Sequence, residues 1–583
     1  MSWKPSLSET VNRRNVLKGA AAAGAGAAFA TTLVPGSAAF AQDASPEASP
    51  AATGAQLDPT VNEPQQTFPL VSEPKSLKLT VASSAFVEDF TTNEFTAWLE
   101  EWTGVHIEWE VVPAADATER SAALNVRLAS GEYGDAIMNF GPTPTVVQLY
   151  GEQGVFQPLN DLIDQHGVFT RRAFEEYPLA KQLATANDGN IYALPQVNDC
   201  YHCSMSQKLW INKQWLENLG LEMPTTTEEY AEVLRAFKTG DPNGNGKNDE
   251  FPLSGSTKAW HGSPDEYFMN SFIYHPGNKL RLIVVDGKVT PIYTQDAWRE
   301  GTKYLAGLFK EGLIDPEIFT RDSDQLRQLG DGNGGPDVLL GSVAAGWWGE
   351  FTTYTSGADG VWQQFTAVPP LKGPEGVQWA GFNPFISTNL GTFLITDKCK
   401  DPELALKWAD ALGHIEATTR SIHGVKDRDW AWASEGETGI NGKQAIWRSI
   451  TNMANVPSQN VHWSQVGTSY RSNDYRLGQY VAPEEAPNAV EVILFNQTKE
   501  KYEPYKQPAE MALPTLYFSP DQAQTVAELT PTIQAYVDQT FAQAVTGQID
   551  IEQAWSDYTS TLSGMGLDDF VAMHQDVFDA SQG

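Results

Sequence analysis

Lys75-Ser-Leu-Lys-Leu-Thr-Val-Ala82 alternates apolar with polar residues, and this period of two predicts a β-strand. Apolar residues at helical spacing follow in residues 94–102, another alternating strand in 106–112, a second helix in 122–130 and a short strand in 135–138. This order predicts a parallel sheet covered by helices, because parallel neighbours need a crossover connection. Ligands of such sheets bind beyond the carboxyl ends of the strands. The segment therefore predicts an α/β domain with a ligand-binding edge.

The pattern of strands and helices changes farther along the chain. It breaks near residues 195–205, and a strand-like segment at 391–396 precedes a helix. Helices are predicted to dominate four regions, which are 213–240, 297–312, 403–416 and 518–580. At 583 residues the chain is also too long for a single hydrophobic core. We therefore predict two α/β lobes, the second rich in helix. The predicted boundaries are 75–198 and 336–396 for the first lobe, and 199–335 and 397–583 for the second.

The first 41 residues predict a signal peptide that is cleaved near Ala41. Arg13 and Arg14 precede a mildly apolar stretch rich in Gly and Ala, and small residues at Ala39 and Ala41 mark the cleavage site. Paired arginines before such a stretch are typical of twin-arginine export, which carries folded proteins. A transmembrane anchor is the alternative, but a bilayer span needs about 20 strongly apolar residues. No cysteine follows the cleavage site to accept a lipid, so we expect a periplasmic or extracellular protein.

The composition excludes one class of partner and indicates one unstructured region. The formal net charge is -34 at pH 7, whereas nucleic-acid binding needs a basic surface. Residues 42–74 are rich in Pro, Ala, Ser, Glu and Gln with few large aliphatic side chains, which predicts a disordered linker. We therefore expect no nucleic-acid partner and a folded part that begins near Lys75.

Residues 241–250, Asp-Pro-Asn-Gly-Asn-Gly-Lys-Asn-Asp-Glu, have the pattern of a calcium-binding turn. Oxygen-bearing side chains recur at every second position, and Gly246 permits the sharp turn. The usual glutamate at position 12 is replaced by Pro252, and Glu250 is the expected substitute. The alternative is an acidic surface turn rich in Asn and Gly. The predicted ligands of a structural Ca²⁺ are Asp241, Asn243, Asn245, Lys247 through its carbonyl, Asp249 and Glu250.

The motifs of common enzymes are missing from the sequence. It has no H-E-x-x-H zinc motif, G-x-S-x-G elbow, Walker loop or dinucleotide fingerprint. Cys200-Tyr-His-Cys203 could suggest zinc or redox chemistry, but zinc needs about four ligands and Cys399 is distant. A short disulfide and a pair of packed thiols both remain open. A glycosidase pair also remains open, because the chain contains 73 acidic residues.

Aromatic residues make up 11% of the chain and include 18 tryptophans. Sugar rings stack on flat aromatic faces, while amides and carboxylates bind their hydroxyl groups. The alternative for any single tryptophan is packing in a core or between lobes, and helical spacing favours that for Trp98, Trp215, Trp408 and Trp555. The predicted ligand-binding residues are Asn198, Tyr201 and His202 near the first crossing between lobes, with the loop residues Trp260, Trp347, Trp348, Trp379 and Trp463.

Six motifs carry a resemblance to a known family. They are Tyr192-Ala-Leu-Pro-Gln196, Leu209-Trp-Ile-Asn-Lys213, Met223-Pro-Thr-Thr226, Phe251-Pro-Leu253 after the calcium loop, Glu311-Gly-Leu-Ile-Asp-Pro-Glu317 and Pro369-Pro-Leu-Lys-Gly-Pro374. Over nearly all of residues 75–580 the chain resembles the large family 1 extracellular solute-binding proteins of carbohydrate ABC importers, including alginate-oligosaccharide binders. Many of these relatives are lipoproteins, whereas this chain lacks the lipid-acceptor cysteine. Cleft residues vary within the family, so the resemblance does not name the sugar.

The resemblance implies a two-lobed periplasmic-binding-protein fold, type II-like, with a ligand cleft between the lobes. It also implies a structural calcium ion in residues 241–250 and no catalysis. We therefore predict a monomer that captures an oligosaccharide by lobe closure and delivers it to ABC importer permease subunits. A secreted glycan-degrading enzyme and a binding protein for peptides or other solutes are the alternatives.

Overall fold

A computed structural model describes residues 55–114, 117–335, 337–353, 360–385, 388–451 and 458–582. The predicted signal peptide lies outside these residues. Their β-strands are β1 (Lys75–Ala82), β2 (Val105–Val112), β3 (Ala136–Met138), β4 (Leu194–Asn198), β5 (Leu209–Asn212), β6 (Phe251–Ser254), β7 (Leu282–Val285), β8 (Lys288–Pro291), β9 (Leu340–Ala344), β10 (Phe365–Val368), β11 (Thr388–Ile395), β12 (Trp430–Trp432), β13 (Trp447–Ser449), β14 (Tyr470–Arg471) and β15 (Gln479–Tyr480).

Helices cover the sheets and form most of the last 65 or so residues. They are α1 (Glu94–Thr103), α2 (Ala117–Ser130), α3 (Pro144–Glu152), α4 (Asn160–His166), α5 (Val168–Glu176), α6 (Pro178–Ala184), α7 (Lys213–Leu219), α8 (Thr227–Thr239), α9 (Pro264–Phe268), α10 (Asp296–Lys310), α11 (Ser323–Gly330), α12 (Pro402–Ala411), α13 (Ile415–His423), α14 (Asn473–Leu477), α15 (Val490–Lys501), α16 (Pro520–Val545), α17 (Ile551–Gly564) and α18 (Leu567–Gln582). Among the described helices, none is long and apolar enough to span a membrane.

The first sheet has six strands in the order β14-β4-β11-β3-β1-β2. The central strand β1 pairs in parallel with both β2 and β3, as the alternating segments predict. The later strand β11 runs antiparallel between β3 and β4, and β14 is parallel to β4. The carboxyl ends of β1, β3, β4 and β14 therefore lie at one edge of this sheet.

Local sequence explains the bounds of α1. The Asn93 side chain accepts a hydrogen bond from the Phe95 N–H, which caps the start of the helix. At the other end Gly104 has a φ of 74° and donates its N–H to the Glu100 carbonyl. A left-handed residue at this position is favourable for glycine because it has no Cβ. These contacts confirm the predicted helix.

The second sheet has four strands in the order β10-β5-β9-β6. Strand β5 is antiparallel to both of its neighbours, and β9 is parallel to β6. A separate hydrophobic core surrounds this sheet and continues into α10 and α16–α18, with Trp215 and Trp298 among its buried members. The first sheet has its own core, which includes Trp408 and Trp463. The two largest sheets each pack against hydrophobic residues of their own, which agrees with the predicted two lobes.

The predicted boundaries of the lobes follow the sheets only in part. Strands β9 and β10 fall within residues 336–396, yet they belong to the second sheet. Helix α12, in the predicted second lobe, packs on the first sheet through Leu404 and Trp408. The physical reason is that the described chain passes three times between the parts of the fold built on the two sheets, and burial patterns of single segments do not say which sheet they join. The described crossing segments are residues 199–208, 369–385 and 481–489.

The predicted disordered linker is corrected in its second half, because residues 55–74 pack against the folded body. Leu57 N–H donates to the Ala433 carbonyl (2.9 Å), and Glu63 forms an ion pair with Arg172 (2.5 Å). The Phe68 ring stacks on another aromatic, Trp102, at 3.7 Å. These contacts are made with residues far along the chain, so the composition of the segment alone does not reveal them.

Candidate functional site

Two predicted ligand-binding tryptophans lie at the same edge of the second sheet. Trp260 follows β6 and Trp347 follows β9, and because these strands are parallel their carboxyl ends leave the sheet on one side. The Gly346 N–H donates to the Trp260 carbonyl at 2.8 Å. A Cβ on Gly346 would lie 2.2 Å from the Trp260 ring, so only glycine permits this approach. The Trp260 side chain is 39% exposed, which leaves ring surface for a ligand.

A carboxylate joins the two tryptophans. One oxygen of Glu350 accepts a hydrogen bond from the Trp347 Nε1–H at 3.2 Å, and the other accepts the Trp260 N–H at 3.4 Å. Trp347 and Glu350 are half-buried. The arrangement places an acceptor for hydroxyl groups beside aromatic rings. Glu350 was not among the predicted site residues, although its place three residues after Trp347 is a sequence signal.

A chain of polar contacts leads from Trp260 to Trp379. His261 follows Trp260 and pairs with Glu266. Gln207 accepts a hydrogen bond from the Asn270 side chain at 2.7 Å, and the Asn270 carbonyl accepts the Trp379 N–H at 3.0 Å. Trp379 is half-buried. No sequence pattern marks Gln207 or Asn270, because each makes its contacts with residues distant in the chain.

Glycines allow the crossing segments to approach this chain of contacts. A Cβ on Gly277 would lie 2.2 Å from the Gln207 amide and 3.3 Å from the His261 ring. A Cβ on Gly381, in the second crossing segment, would lie 2.0 Å from the same Gln207 side chain. The predicted residues Trp260, Trp347 and Trp379 are therefore brought to one region of the second sheet.

Asn198 and Tyr201 lie at the first crossing. The Asn198 amide donates to the Gln465 side chain at 3.2 Å and its oxygen accepts from Arg476 at 3.1 Å. Tyr201 donates its hydroxyl to Glu503 at 2.9 Å. Both side chains remain half-buried.

Three of the predicted ligand residues are buried, and their assignment is corrected. Trp348 is 1% exposed and stacks on Trp362 at 5.0 Å. Trp463 is fully buried and donates its Nε1–H to the Thr96 hydroxyl at 2.9 Å. His202 is 6% exposed and points at Glu491. None of the three presents a free ring face. Sequence context failed here because a loop residue can still point into a core.

The Cys-x-x-Cys motif forms a disulfide between Cys200 and Cys203. The His202 ring lies beside the disulfide, with Nε2 3.5 Å from the Cys200 sulfur and Nδ1 3.8 Å from the Cys203 sulfur. Burial lowers the pKa of His202, against the opposing effect of Glu491 at 3.5 Å. The sulfurs are bonded to each other, so the cluster does not offer thiolates to a metal.

The backbone of residues 241–250 adopts a tight turn. Asp241, Gly244 and Gly246 have φ values of 48°, 71° and 74°. The Gly246 N–H donates to one Asp241 carboxylate oxygen at 3.1 Å, and the Lys247 N–H donates to the Asn245 side chain at 2.8 Å. These bonds turn the oxygen-bearing side chains toward the inside of the loop.

Two carboxylate oxygens of the loop are buried and have no hydrogen-bond partner. They are one oxygen of Asp241 and one of Glu250. Burial and the neighbouring carboxylates of Asp249 and Asp241 raise the pKa of Glu250. Asp337 also reaches the loop, since its carboxylate accepts from Asn245 at 3.3 Å, a contact that the loop sequence does not predict. Crowded, unpartnered oxygens fit a hard cation, which takes six to eight oxygen ligands.

A cavity of about 980 Å³ lies elsewhere in the molecule. Its walls come from α6, the β7–β8 hairpin, residues 508–519 and the end of α18. None of the predicted ligand-binding residues lines it. The candidate site is the group of aromatic and polar residues at the edge of the second sheet.

Comparison with known proteins adds independent findings. A family model described as bacterial extracellular solute-binding protein matches residues 82–418, and a twin-arginine translocation signal model matches residues 10–30. The fructooligosaccharide ABC transporter substrate-binding protein FusA of Streptococcus pneumoniae serotype 4 is 30% identical over 529 residues, covering 88% of this chain and 92% of the relative. The resemblance drawn from the motifs and the predicted export are thereby confirmed.

Solved structures have the same fold. Structures of FusA with kestose, and of its EF-hand mutant with fructo-nystose, superpose with a TM-score of 0.71 at 26% identity, covering 87% of this chain and 99% of theirs. Alginate-binding protein AlgQ2 without calcium ion superposes with a TM-score of 0.63 at 21% identity, covering 88% of this chain and 100% of its own. The predicted two-lobed fold is confirmed.

Proposed function

This chain belongs to the bacterial extracellular solute-binding proteins, and on that premise we propose that it captures an oligosaccharide for an ABC importer. The observation that carries the proposal is the pair Trp260 and Trp347 with Glu350 between them. Aromatic rings stack on the apolar faces of sugars, and a carboxylate accepts hydrogen bonds from hydroxyl groups. Trp379, Asn198 and Tyr201 complete the proposed site.

Capture proceeds by closure of the lobes. We assign the described residues of 75–198 and 388–480 to the first lobe and those of 209–368 and 490–582 to the second, because these ranges follow the two sheets. A ligand that contacts both lobes binds the closed form more tightly, and this difference in affinity shifts the equilibrium. The closed, loaded protein then docks on the permease.

The chain acts without catalysis in this proposal. Each oxygen of Glu350 accepts one hydrogen bond, from Trp260 or Trp347, and keeps a second lone pair that can accept a ligand hydroxyl. The relative FusA is named as a substrate-binding protein. The chain works as a monomer, which light scattering of the purified protein tests.

A calcium ion stabilises the second lobe. The six predicted loop residues supply the ligands, and the carboxylate of Asp337 lies beside them. The buried oxygens of Asp241 and Glu250 support this assignment, because an unpartnered buried carboxylate oxygen is costly unless a cation neutralises it. The existence of an EF-hand mutant of FusA agrees with a similar loop in that relative.

Calorimetry with kestose, an oligogalacturonate and a peptide tests the proposed ligand class. Trp347→Ala should weaken binding of the preferred sugar by about two- to tenfold, since ring stacking is worth roughly 0.5–1.5 kcal/mol. Trp555→Ala is the matched control, because this half-buried tryptophan lies on α17. Equal affinity in the parent and Trp347→Ala would contradict the site. Preferential binding of the peptide, or release of reducing ends from the sugar, would favour the alternatives.

A further inference from the structure

The turn of residues 200–205 joins the parts of the chain that connect the two sheets. It lies in the first crossing segment, and the Ser204 carbonyl accepts the Asn383 N–H of the second crossing segment at 2.8 Å. His202 contacts Glu491 at 3.5 Å, in the first turn of α15 directly after the third crossing segment. A constraint on this turn therefore acts on all three connections at once.

The export route limits when the disulfide within this turn can form. The twin-arginine signal at residues 10–30 directs a chain that folds before it crosses the membrane. Folding then takes place in a cytoplasm that keeps thiols reduced. Cys200 and Cys203 would therefore be thiols when the fold forms, and their bond would be made later on a finished structure. Cys203 is half-buried whereas Cys200 is 1% exposed, so a reagent reaches the former first.

We propose that the Cys200–Cys203 bond is made on the folded protein after export and locks the crossing segments together. The oxidant is a disulfide-carrying molecule of the exported compartment. The Cys203 thiolate attacks this disulfide and expels one thiolate, and the Cys200 thiolate then attacks the Cys203 sulfur and expels the second. The protein loses two protons and two electrons, and the oxidant gains them as two thiols.

The environment of the turn suits this reaction. The His202 imidazole lies within 3.8 Å of both sulfurs, and in its neutral form its one unprotonated nitrogen can accept the proton of a single thiol as that thiol ionises. The third cysteine stays out of the exchange, because Cys399 is buried and burial raises its pKa to about 11. The lock itself is independent of the ligand. The disulfide could also affect ligand capture, because Tyr201 lies between the two cysteines. That effect on capture rests on the proposed function.

The first experiment tests whether the bond forms on the folded protein. The mature chain is reduced with a phosphine, freed of reductant and then treated with oxidised glutathione without denaturant. Alkylation and intact mass follow the free thiols, and circular dichroism follows the fold. Two thiols should disappear while the fold persists, and one should remain. A need for denaturant before the bond forms would overturn the proposal.

His202→Gln should slow formation of the disulfide about tenfold near neutral pH and less at alkaline pH.

The second experiment tests the lock without any ligand. Hydrogen exchange is compared between the oxidised and reduced protein. The amides of Ser204 and Asn383 should exchange about tenfold faster after reduction, while those of the loop at 241–250 should not change. The double variant Cys200→Ser/Cys203→Ser should behave like the reduced protein, and Cys399→Ser like the oxidised one. Equal exchange at Asn383 in both redox states would refute the lock. If the double variant does not fold, the comparison of hydrogen exchange between the oxidised and reduced parent protein still tests the lock.

Binding of kestose by both redox states separates the lock from the proposed function. Weaker binding after reduction, by about threefold or more, supports a lock that acts on capture. Unchanged binding, with changed exchange, overturns the effect on capture and leaves the lock itself supported. Absence of kestose binding in either state counts against the proposed sugar and leaves the exchange result unaffected.

Discussion

The loop at residues 241–250, where calcium is proposed, and the disulfide turn at residues 200–205 are both short polar connections, yet most of their contacts span different distances along the chain. In the loop, Gly246 bonds to Asp241 five positions away. In the turn, Tyr201 bonds to Glu503 at a separation of 302 residues. A site built from its own chain segment can be recognised in the sequence. A site built from distant segments depends on the fold.

The largest expected effect comes from removing calcium from the loop. Chelation or Asp241→Ala should lower the free energy of unfolding by about 4 kcal/mol when calcium is present at about a thousand times its Kd. Thermal unfolding with and without chelator measures this. Asp286→Ala is the matched control, because this residue shares the left-handed backbone with a φ of 49°. No effect of chelator on the parent protein would remove the calcium assignment.

The next effect concerns the ion pair beside the disulfide turn. Glu491 lies 3.0 Å from Arg476 and its side chain is 19% exposed. Glu491→Gln should destabilise the protein by about 3 kcal/mol, because the mostly buried Arg476 and its neighbours lose their counter-charge. Urea unfolding measures the change. Glu311→Gln, which breaks the exposed pair with Arg235, should have little effect. A similar loss of unfolding free energy in Glu491→Gln and Glu311→Gln would argue against a special role of the pair between Glu491 and Arg476.

A smaller effect is expected from acid. Burial acts to raise the pKa of Glu491, but the charge of Arg476 and the hydrogen bond from His202 outweigh it and hold the pKa well below its ordinary value. A lowered folded pKa stabilises the protein above the unfolded pKa of about 4.3, and this stability is lost as the pH falls toward the folded value. Titration of Glu491 alone changes the free energy of unfolding by at most about 1.4 kcal/mol per pH unit. Urea titrations between pH 6 and pH 3 should show a shallower acid limb in Glu491→Gln than in the parent.

The smallest expected effect is the influence of the turn on the loop. Reduction of the disulfide should change the affinity for calcium by less than about twofold, since independent sites are nearly additive. Calcium titration of the oxidised and reduced protein measures this. A larger change would show that the two regions are coupled and would break the comparison.

The fold was predictable where neighbours in sequence determine the structure. The three parallel strands and the helix between Asn93 and Gly104 follow from alternation, helical spacing and capping, which operate within a few residues. The bounds of the lobes were not predictable in this way. Strand β9 is fully buried, and a buried strand fits either sheet equally well when only its own residues are considered.

In the candidate site, too, some features were predictable from the sequence and others were not. Trp260 and Trp463 both occupy irregular segments, yet one is 39% exposed at the edge of the second sheet and the other is fully buried against α1. Their sequence contexts do not separate them. The exposed fraction of a side chain depends on what packs across it, and for Trp463 this includes Phe95 from a segment more than 360 residues earlier.

The sequence by itself determined the export signal, the first parallel strands, the loop of oxygen-bearing residues and the resemblance that the family match confirmed. Each of these is written within a short stretch of chain, because backbone preference and ligand spacing act locally. The tertiary structure alone decided which tryptophans face outward, that Glu350 joins Trp260 to Trp347, and that Cys200–Cys203 lies where the crossing segments meet. These depend on contacts between distant segments, which form only when the two cores bury their apolar surface.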